Sequence, residues 1–334
     1  MIRKIFTCFG LLLVFSLIIS SPVQAQVGIK KLGQSTMNFL KVSVSPKAAG
    51  MGNAYTSIGD GVESIFYNPA GLAGIESKFD IFLGQTQWIA DINYSAGAAA
   101  VNLGRFGTIG VSVISVDYGD IQGADLISLS DPKGYVETGN LDVGAYAFGL
   151  AYARQISEEF SMGGLIQYVG QQLGESQVST GAATNAQQKL TLNFGIKYLS
   201  SFKKFRFAMA LRNFSTQVKY EEVDTELPLI FMFGVGIDML DVIKPGHTGE
   251  PLLVSAEFLH PNNYTERVNI GAEYSLMGLL TLRTGYEFNR DLGGLSAGIG
   301  IRQELAGKGL EINYSYSAFD IFDNVNRFSL NFNL

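Results

Sequence analysis

The chain ends in Arg327-Phe328-Ser329-Leu330-Asn331-Phe332-Asn333-Leu334, in which polar and apolar side chains alternate at every step. Successive side chains of a β-strand point to opposite faces, so a period of two predicts a strand with one wholly apolar and one wholly polar face. We therefore expect an apolar medium on one side of this strand and a polar one on the other.

The same alternation recurs along most of the chain in fourteen segments. Each is about as long as the roughly 9 to 11 residues that a tilted strand needs to cross a bilayer, or slightly longer. An even number of strands suits a closed antiparallel barrel. The sequence thus predicts an all-β fold, a 14-stranded antiparallel transmembrane β-barrel. The predicted strands are 77–88, 91–103, 106–118, 140–155, 160–174, 188–200, 205–218, 227–240, 251–260, 266–276, 279–288, 293–305, 309–318 and 325–334.

The connections between these segments are alternately short and long. At one end of the barrel we expect tight turns, and at the other we expect longer polar loops, with 119–139 and 175–187 the longest. Bacterial barrels have short periplasmic turns and longer external loops, so we expect both chain ends on the periplasmic side. The short connection near Ala90 and the long one at 241–250 are exceptions. The tight turns are Gly104-Arg105, 156–159, 201–204, 277–279 and 306–308.

The polar face of the C-terminal third carries charges of both signs, whereas its apolar face carries almost none. A soluble β-sandwich is the alternative interpretation, but its outward side chains are charged and its inward ones apolar. Lipid outside and a polar lumen inside fit the observed division better. The charges that we expect to face the lumen are Glu257, Arg267, Glu273, Arg283, Glu287, Arg302 and Glu311.

One cross-strand pair can be predicted from a turn. For the turn 277–279 to keep both flanking strands in phase, Leu276 must lie opposite Leu280. This register places Glu273 opposite Arg283. We expect an ion pair there, worth a few tenths of a kcal/mol to about 1 kcal/mol.

Residues 1–25 have the pattern of a cleaved secretory signal. Two basic residues are followed by an apolar run from Ile5 to Ile19 and by a small-x-small sequence that ends at Ala25. A membrane anchor is the alternative, but the run falls short of the roughly 20 apolar residues that span a bilayer. We expect a mature chain that starts near Gln26 and is exported to the bacterial outer membrane, where it contacts lipid.

Composition argues against several classes of function. The single cysteine, Cys8, lies in the predicted signal, which leaves no mature cysteine for disulfides, thiolate metal sites or nucleophilic catalysis. Without the signal, 22 basic side chains face 30 acidic ones, so nucleic acid is not an expected partner. The two histidines lack metal-ligand spacing, and Gly50-x-Gly52 alone is weak evidence of a phosphate loop. We expect no cofactor, no metal and no enzymatic activity.

Residues 26–76 differ from the predicted barrel domain, 77–334. They are rich in Gly, Ala and Ser and show no long alternation. The side chains of fourteen strands cannot fill a barrel of that width, which is nevertheless smaller than an open porin. We therefore expect 26–76 to be a plug or hatch segment inside the lumen.

Short motifs in this segment resemble a known family. They are Asn38 to Lys41, Ala48 to Tyr55, Gly59-Asp60, and Tyr67 to Ala73. Together they resemble the opening of the PorV/PorQ family of outer-membrane proteins, which is itself similar to FadL-type channels that share the Asn-Pro-Ala-Gly element. Two positions depart from the family: Lys47 replaces an expected arginine and Asn53 an expected glycine. The motif residues expected to matter are Gly50, Met51, Gly52, Asn53, Asn68, Pro69, Ala70 and Gly71.

These motif residues also have a physical interpretation. Gly50 and Gly52 permit close backbone approach or positive φ, and a short helix could start after Asn53. Pro69 fixes its own φ while the Asn68 side chain can bond its own backbone, as at the start of a turn. The segment either controls passage or serves only as a packed element needed for folding, and the sequence favours neither.

The resemblance implies two functions. Likeness to PorV implies an accessory component of type IX protein secretion, which acts on secreted cargo or on a larger translocon. Likeness to FadL implies a channel for hydrophobic small molecules, with the plug as a hatch and a lateral gap in the wall as the exit. The secretion role is the main expectation, since the motif resembles PorV/PorQ over a longer stretch. A purely structural membrane protein is a third possibility.

Overall fold

Fourteen strands form one closed antiparallel barrel in the computed structural model, so the predicted barrel is confirmed. The structure describes residues 34–126, 133–178, 181–200, 205–220, 223–246, 249–291, 293–305 and 307–334. The strands are β1 (Phe79–Gln87), β2 (Asn93–Asn102), β3 (Thr108–Asp117), β4 (Val143–Gln155), β5 (Phe160–Val178), β6 (Gly181–Leu199), β7 (Arg206–Phe214), β8 (Ile230–Asp238), β9 (Leu252–Pro261), β10 (Arg267–Leu276), β11 (Leu280–Phe288), β12 (Leu295–Leu305), β13 (Lys308–Ser317) and β14 (Val325–Asn333). The predicted signal, 1–25, lies outside the described residues.

Each strand pairs with the next along the chain, and β1 pairs with β14 to close the wall. Along β14 the exposure alternates as the sequence predicts: Phe328 is 47% exposed, whereas Ser329 is fully buried. A β-sandwich would bury the apolar face instead. The apolar side chains therefore face outward, as expected of strands in contact with lipid.

The two ends of the barrel are named here by their contents. The terminal end is where β1 begins and β14 ends, and the loop end is opposite. At the terminal end, Met277 and Gly278 both have positive φ, at 54° and 65°. This two-residue turn sets Leu276 opposite Leu280 and Glu273 opposite Arg283. The Arg283 Nε atom lies 2.6 Å from Glu273 Oε2, so the predicted register and ion pair are confirmed.

Two predicted loops at the loop end contain strand structure, and here the sequence-based boundaries are wrong. β5 and β6 are each 19 residues long and stay paired up to Val178 and Gly181. In the connection 119–139, Gln122–Leu126 pairs with Tyr135–Asn140. The paired segments in these two connections do not need an apolar side that faces the membrane. They therefore lack the alternation by which the other strands were recognised.

Helices are short throughout the described residues. The long connection after β8 begins with the five-residue helix Met239–Ile243, and Gly104–Phe106 forms a 3₁₀ turn between β2 and β3. Over the described ranges, no helix combines the length and apolar character needed to cross a membrane.

The N-terminal segment, described from residue 34 onward, consists of short helices joined by turns. They are the 3₁₀ helix Asn38–Lys41, the α-helix Pro46–Gly50, and the 3₁₀ helices Val62–Phe66 and Pro69–Gly74. No helix follows Asn53 directly, so the expected helix lies before that residue instead. The segment packs against the sides of the strands that face away from the exposed apolar surface.

Small side chains on β2 and β4 leave room for the segment. Ile65 and Leu72, both fully buried, belong to one apolar cluster with these strands. The strand residues of this cluster are largely alanines, because larger side chains would occupy the volume that the segment fills. They include Ala96, Ala98, Ala100, Ala145, Ala147, Ala151 and Ala153.

Candidate functional site

Gly50, Met51 and Gly52 lie against glycines of three neighbouring strands. A Cβ atom added at Gly285 would overlap the Met51 carbonyl carbon and the Gly52 nitrogen. Gly271 faces the Met51 carbonyl oxygen in the same way. The predicted close backbone approach therefore exists. It requires glycine on the strands as well as in the motif, because any side chain there would separate the two backbones.

A second glycine contact lies beneath Asn68 and Pro69. A Cβ atom at Gly163 of β5 would stand 2.6 Å from the Pro69 carbonyl oxygen, and one at Gly195 of β6 would overlap the Asn68 amide oxygen. Gly71 itself packs within the segment, since a Cβ there would stand 2.5 Å from the Gly59 carbonyl oxygen. The Asn-Pro-Ala-Gly element thus docks on the wall by close backbone packing.

Asn68 joins the segment to the barrel by hydrogen bonds. Its Oδ1 accepts from the Ala70 backbone nitrogen at 3.1 Å, which caps the helix Pro69–Gly74. Its Nδ2 donates to the carbonyl oxygens of Thr56 at 3.2 Å and Ile196 at 3.1 Å. Pro69, in the first turn of this helix, has no backbone donor to satisfy. The turn predicted at Asn68-Pro69 is therefore a capped helix start.

We expect Asn68→Ala to loosen the docking of this element. Loss of a helix cap costs about 1 kcal/mol, so the rate of protease cleavage within 46–74 in the folded barrel should rise several-fold. Asn68→Asp keeps the cap acceptor but turns a buried carboxylate oxygen toward the carbonyl oxygens of Thr56 and Ile196, so its cleavage should be at least as fast as that of Asn68→Ala. Unchanged cleavage in Asn68→Ala would show that packing alone holds the element.

Lys47 is the centre of a buried ion-pair network. Its Nζ atom lies 2.8 Å from Glu311 Oε2 on β13 and 3.2 Å from Glu63 Oε1. Glu63 is also hydrogen-bonded by Ser45 Oγ and by Asn331 Nδ2. Burial lowers the pKa of Lys47, but attraction to Glu63 and Glu311 outweighs this effect and raises the pKa above its ordinary value.

Arg283, one of the charges predicted to face the lumen, extends the network to neighbouring strands of the barrel. Besides Glu273, it approaches Glu311, with Nη2 3.5 Å from Oε1, and its Nη1 donates to Asn313 Oδ1 at 2.8 Å. The side chain of Arg283 is 4% exposed. Two cations and three carboxylates therefore bind the segment to β10, β11 and β13 in a region shielded from solvent.

Glu257 and Glu287, also expected in the lumen, contact the segment separately. Glu257 Oε2 accepts from the Thr56 backbone nitrogen at 2.8 Å. Glu287 Oε1 accepts from Asn53 Nδ2 at 2.9 Å and from Arg290 at 2.7 Å. Asn53 has a positive φ of 59°, a conformation that asparagine tolerates, so this position needs no glycine.

The two remaining predicted charges form no ion pair or hydrogen bond with the network, although Arg302 lies opposite Glu311 in the register of β12 and β13. The Arg267 guanidinium lies 4.5 Å from the ring centre of Tyr264, near the loop end. Arg302 lies at the terminal end, where its side chain is 49% exposed and pairs with Glu304 at 3.2 Å. Arg302 is on the same strand face as the other charges, yet solvent reaches it.

A cavity of 610 Å³, here called the outer cavity, opens at the loop end. Its lining combines aromatic and apolar side chains, among them Phe39, Trp88 and Tyr94, with several charged ones. A chamber of 90 Å³, here called the inner chamber, adjoins it and shares Lys41, Asn53 and other lining residues. The inner chamber is bounded by apolar residues of β8 and β9, such as Met232 and Leu259.

Trp88, the only tryptophan of the chain, lines the outer cavity. Its ring centre lies 5.3 Å from that of Phe319 and 6.4 Å from that of Tyr94, both in edge-on geometry. The Arg327 guanidinium lies 5.7 Å from the same ring. An intrinsic fluorophore is therefore placed at this cavity.

The wall of the barrel has no break between neighbouring strands, so the expected lateral gap is absent from the described barrel. The register of the wall shifts at two places: between β5 and β6 near Gln172, and between β6 and β7, where the shift falls between Leu192 and Phe194. Asn213 has a φ of 61° there and donates its backbone N–H to Asn193 Oδ1 at 2.7 Å. This bulge is closed by its own hydrogen bond.

Sequence reasoning missed several residues of this site. Lys47 was noted only as a departure from a motif, and Glu63, Arg212, Arg327 and Trp88 were not singled out. The lumen-facing phase of β14 could have drawn attention to Arg327, because it shares a strand face with Ser329 and Asn331. Arg212 carried no such signal, since its neighbours on the same face of β7 are Ala208 and Ala210. Among the described residues, no group of three His, Cys, Asp or Glu side chains could hold a metal ion.

Several solved structures resemble this fold. The toluene transporter TbuX of Ralstonia pickettii has a TM-score of 0.56 and 14% identity, over 86% of this chain and 97% of that chain. The toluene transporter TodX of Pseudomonas putida has a TM-score of 0.55 and 10% identity, over 86% and 96%. A FadL homologue of Pseudomonas aeruginosa has a TM-score of 0.53 and 11% identity, over 87% and 98%. No protein-family model and no curated protein matches the chain.

The expected role in type IX secretion is wrong. The structures that share this barrel are named as toluene transporters, a monoaromatic hydrocarbon channel and a FadL homologue, and nothing supports PorV/PorQ specifically. The physical reason is that the motif at Gly50 to Asn53 and Asn68 to Gly71 specifies how a segment docks on a wall, and this docking carries no information about a partner. The chain is structurally similar to FadL-type outer-membrane hydrocarbon transporters.

Proposed function

We propose that the protein is an outer-membrane channel through which hydrophobic small molecules are taken up. The observation that carries this proposal is the outer cavity, which places aromatic and apolar side chains at the mouth of a closed barrel. Its volume of 610 Å³ is in the range of pockets that bind drug-sized ligands. Two structural neighbours are named as a toluene transporter and as a monoaromatic hydrocarbon channel. These names support a hydrophobic small molecule as the solute of this chain.

The N-terminal segment 26–76 is the hatch of this channel in our proposal. Cavities of 300 and 330 Å³ at the terminal end are lined partly by Asp60 and Gly61, so parts of the segment border space at both ends of the barrel. Since neighbouring strands are paired all round the barrel, a solute that crosses must pass through the lumen. Passage then requires the segment to shift from its glycine contacts and from the Lys47 network.

The orientation follows from the same proposal. The loop end faces the medium and the terminal end faces the periplasm, as the lengths of the connections suggest. Export depends on the signal at 1–25, which is removed. A purely structural membrane protein does not require a cavity that binds a ligand next to the hatch. Ligand binding therefore distinguishes a channel from a purely structural protein.

Fluorescence of Trp88 tests the proposal directly. Titration of the purified protein in nanodiscs with 1-dodecanol should give a saturable change in tryptophan emission, because the ligand replaces water beside the ring. The emission shift should reach a plateau at a defined ligand-to-protein ratio. A purely structural protein would show no saturable change.

A matched variant separates cavity binding from partition into the lipid. In Trp88→Phe combined with Phe194→Trp, the only tryptophan lies on the outer surface, where Phe194 is 51% exposed. Its emission should change only gradually as 1-dodecanol enters the bilayer. If both proteins respond alike, the cavity does not bind the solute and the proposed function fails.

A further inference from the structure

We propose that the outer cavity and the inner chamber together bind an amphiphile whose head group carries more than one negative charge. The head lies among the cations where the outer cavity and the inner chamber adjoin, and the apolar body lies against the aromatic side chains of the outer cavity. This inference rests on the proposed function and names the solute class more narrowly.

The charges that line the two spaces are unbalanced. Five cations line them against only two carboxylates, Glu257 and Glu287, a formal excess of three positive charges. The cations are Lys41, Arg212, Arg267, Arg290 and Arg327. The mature chain as a whole carries more acidic than basic residues, so this excess is a local property of the lumen.

Most of these cations have no carboxylate partner. Among the described residues, only Arg290 has a carboxylate within 4.0 Å, namely Glu287 at 2.7 Å. Arg212 instead donates to the Leu40 carbonyl oxygen at 3.0 Å, and Arg327 donates to the Ser43 carbonyl oxygen at 2.8 Å.

The remaining hydrogen-bonding capacity of the arginines is partly unused. The Nε atoms of Arg212 and Arg267 are buried and lack a hydrogen-bond partner among the described residues. Buried guanidinium donors are best satisfied by carboxylate or phosphate oxygens, which accept in the geometry of the guanidinium fork. A small rotation of either side chain on binding would direct these donors to the ligand.

The environment of Lys41 disfavours its positive charge, mainly through burial and secondarily through repulsion by Arg267. Burial, and then the nearby charge of Arg267, lower the pKa of its amine to about 8. A buried charge is costly unless an opposite charge accompanies it. A monoanion would offset one of the three excess charges, whereas a phosphate head, with a charge of about −1.5 to −2 near pH 7, offsets more.

The apolar part of the ligand has its own surface. Phe39, Trp88, Tyr94 and Leu173 line the outer cavity next to these cations. Inorganic phosphate could satisfy the charges but not this surface, so an amphiphile is the ligand that uses both. A free anion and an amphiphile share the same charged group, but competition binding experiments distinguish them.

A head-group series read by Trp88 emission tests the inference. We expect dodecyl phosphate to bind at least tenfold more tightly than dodecanoate, and dodecanoate more tightly than 1-dodecanol, at neutral pH. Equal affinities for all three would overturn the charge inference and leave the proposed channel intact. If none of the three ligands binds, both the charge inference and the proposed channel function are contradicted. If inorganic phosphate competes as well as dodecyl phosphate does, the inference that the ligand is an amphiphile is contradicted.

Variants locate the effect. Lys41→Gln combined with Arg267→Gln lowers the excess from three charges to one, and it should reduce the preference for dodecyl phosphate over dodecanoate to a few-fold or less. Neither side chain has a carboxylate within 4.0 Å among the described residues, so no ion pair is lost. Lys219→Gln, which removes an exposed loop-end charge outside both spaces, should leave the preference unchanged. If Lys219→Gln reduces the preference for dodecyl phosphate by the same factor, the preference arises from the overall electrostatic field of the loops and not from the two spaces.

Discussion

Replacing Lys47 with methionine should destabilise the protein by about 3 to 5 kcal/mol, the usual cost of removing one partner of a buried ion pair. Glu63 and Glu311 would remain in the lumen, where Glu63 is 2% exposed and Glu311 12% exposed at the side chain. The free energy of unfolding, measured by guanidinium titration in detergent, checks this value. We also expect the segment to become cleavable by protease in the folded barrel.

Two controls identify the cause. Lys47→Arg keeps a cation at the same place and should recover most of the loss. Arg302→Gln also breaks a pair, but that pair is exposed to solvent, and exposed pairs contribute about 0 to 1 kcal/mol. A loss as large for Arg302→Gln as for Lys47→Met would show that the network is not what stabilises the segment.

The contribution of Lys47 should not depend on pH near neutrality. Its pKa in the folded protein lies above the ordinary lysine value, so its stabilising effect is fully present below that ordinary value. The effect is lost only as the pH rises through the higher folded-state pKa. The difference between wild type and Lys47→Arg should therefore stay constant on the acidic side of the ordinary lysine pKa.

Gly285→Val should displace the segment from the wall and open the channel. The new side chain would overlap the backbone of Met51 and Gly52, and neither backbone can give way without moving the motif. Overpacking a well-packed interior costs about 1 to 3 kcal/mol or more. Each 1.4 kcal/mol shifts an equilibrium about tenfold, so displaced segments should become measurable. Conductance of single barrels in planar bilayers should increase.

Gly144→Val is the matched control for this prediction. A Cβ atom at Gly144 on β4 meets nothing within 4 Å, so valine there should leave the conductance at its wild-type level. If Gly285→Val also conducts like the wild type while the barrel remains folded, then the close contact between Met51 and Gly285 does not hold the hatch.

The strands and much of their register were predictable from the sequence. Alternation is a local property: the membrane requires an apolar side chain at every second position, and each strand records this requirement on its own. The pair Glu273 and Arg283 followed from the length of one turn. The loop-end parts of β5 and β6, and the strand pair within 122–140, were not predictable, because strand pairing outside the membrane sets no such pattern.

The docking motif was visible in the sequence, but what it docks on was not. Gly195, Gly271 and Gly285 are isolated glycines in strand patterns, and Gly163 is followed by Gly164; all of them weaken strand propensity. Only the tertiary structure shows that they accept the backbone of the segment. Family resemblance detected the motif but led to the wrong main expectation, type IX secretion, because docking chemistry is independent of the transported molecule; the structural neighbours favour the alternative, a FadL-like channel.

The sequence by itself determined the membrane barrel, its strand number and the polarity of its two faces, because these depend on side chains one or two positions apart. The tertiary structure alone decided which charges meet. Lys47 binds Glu311 from 264 positions away, and five cations from separate elements converge on one lumen. Such contacts depend on closure of the barrel, which brings residues far apart in the chain together, and no local pattern of side chains predicts them.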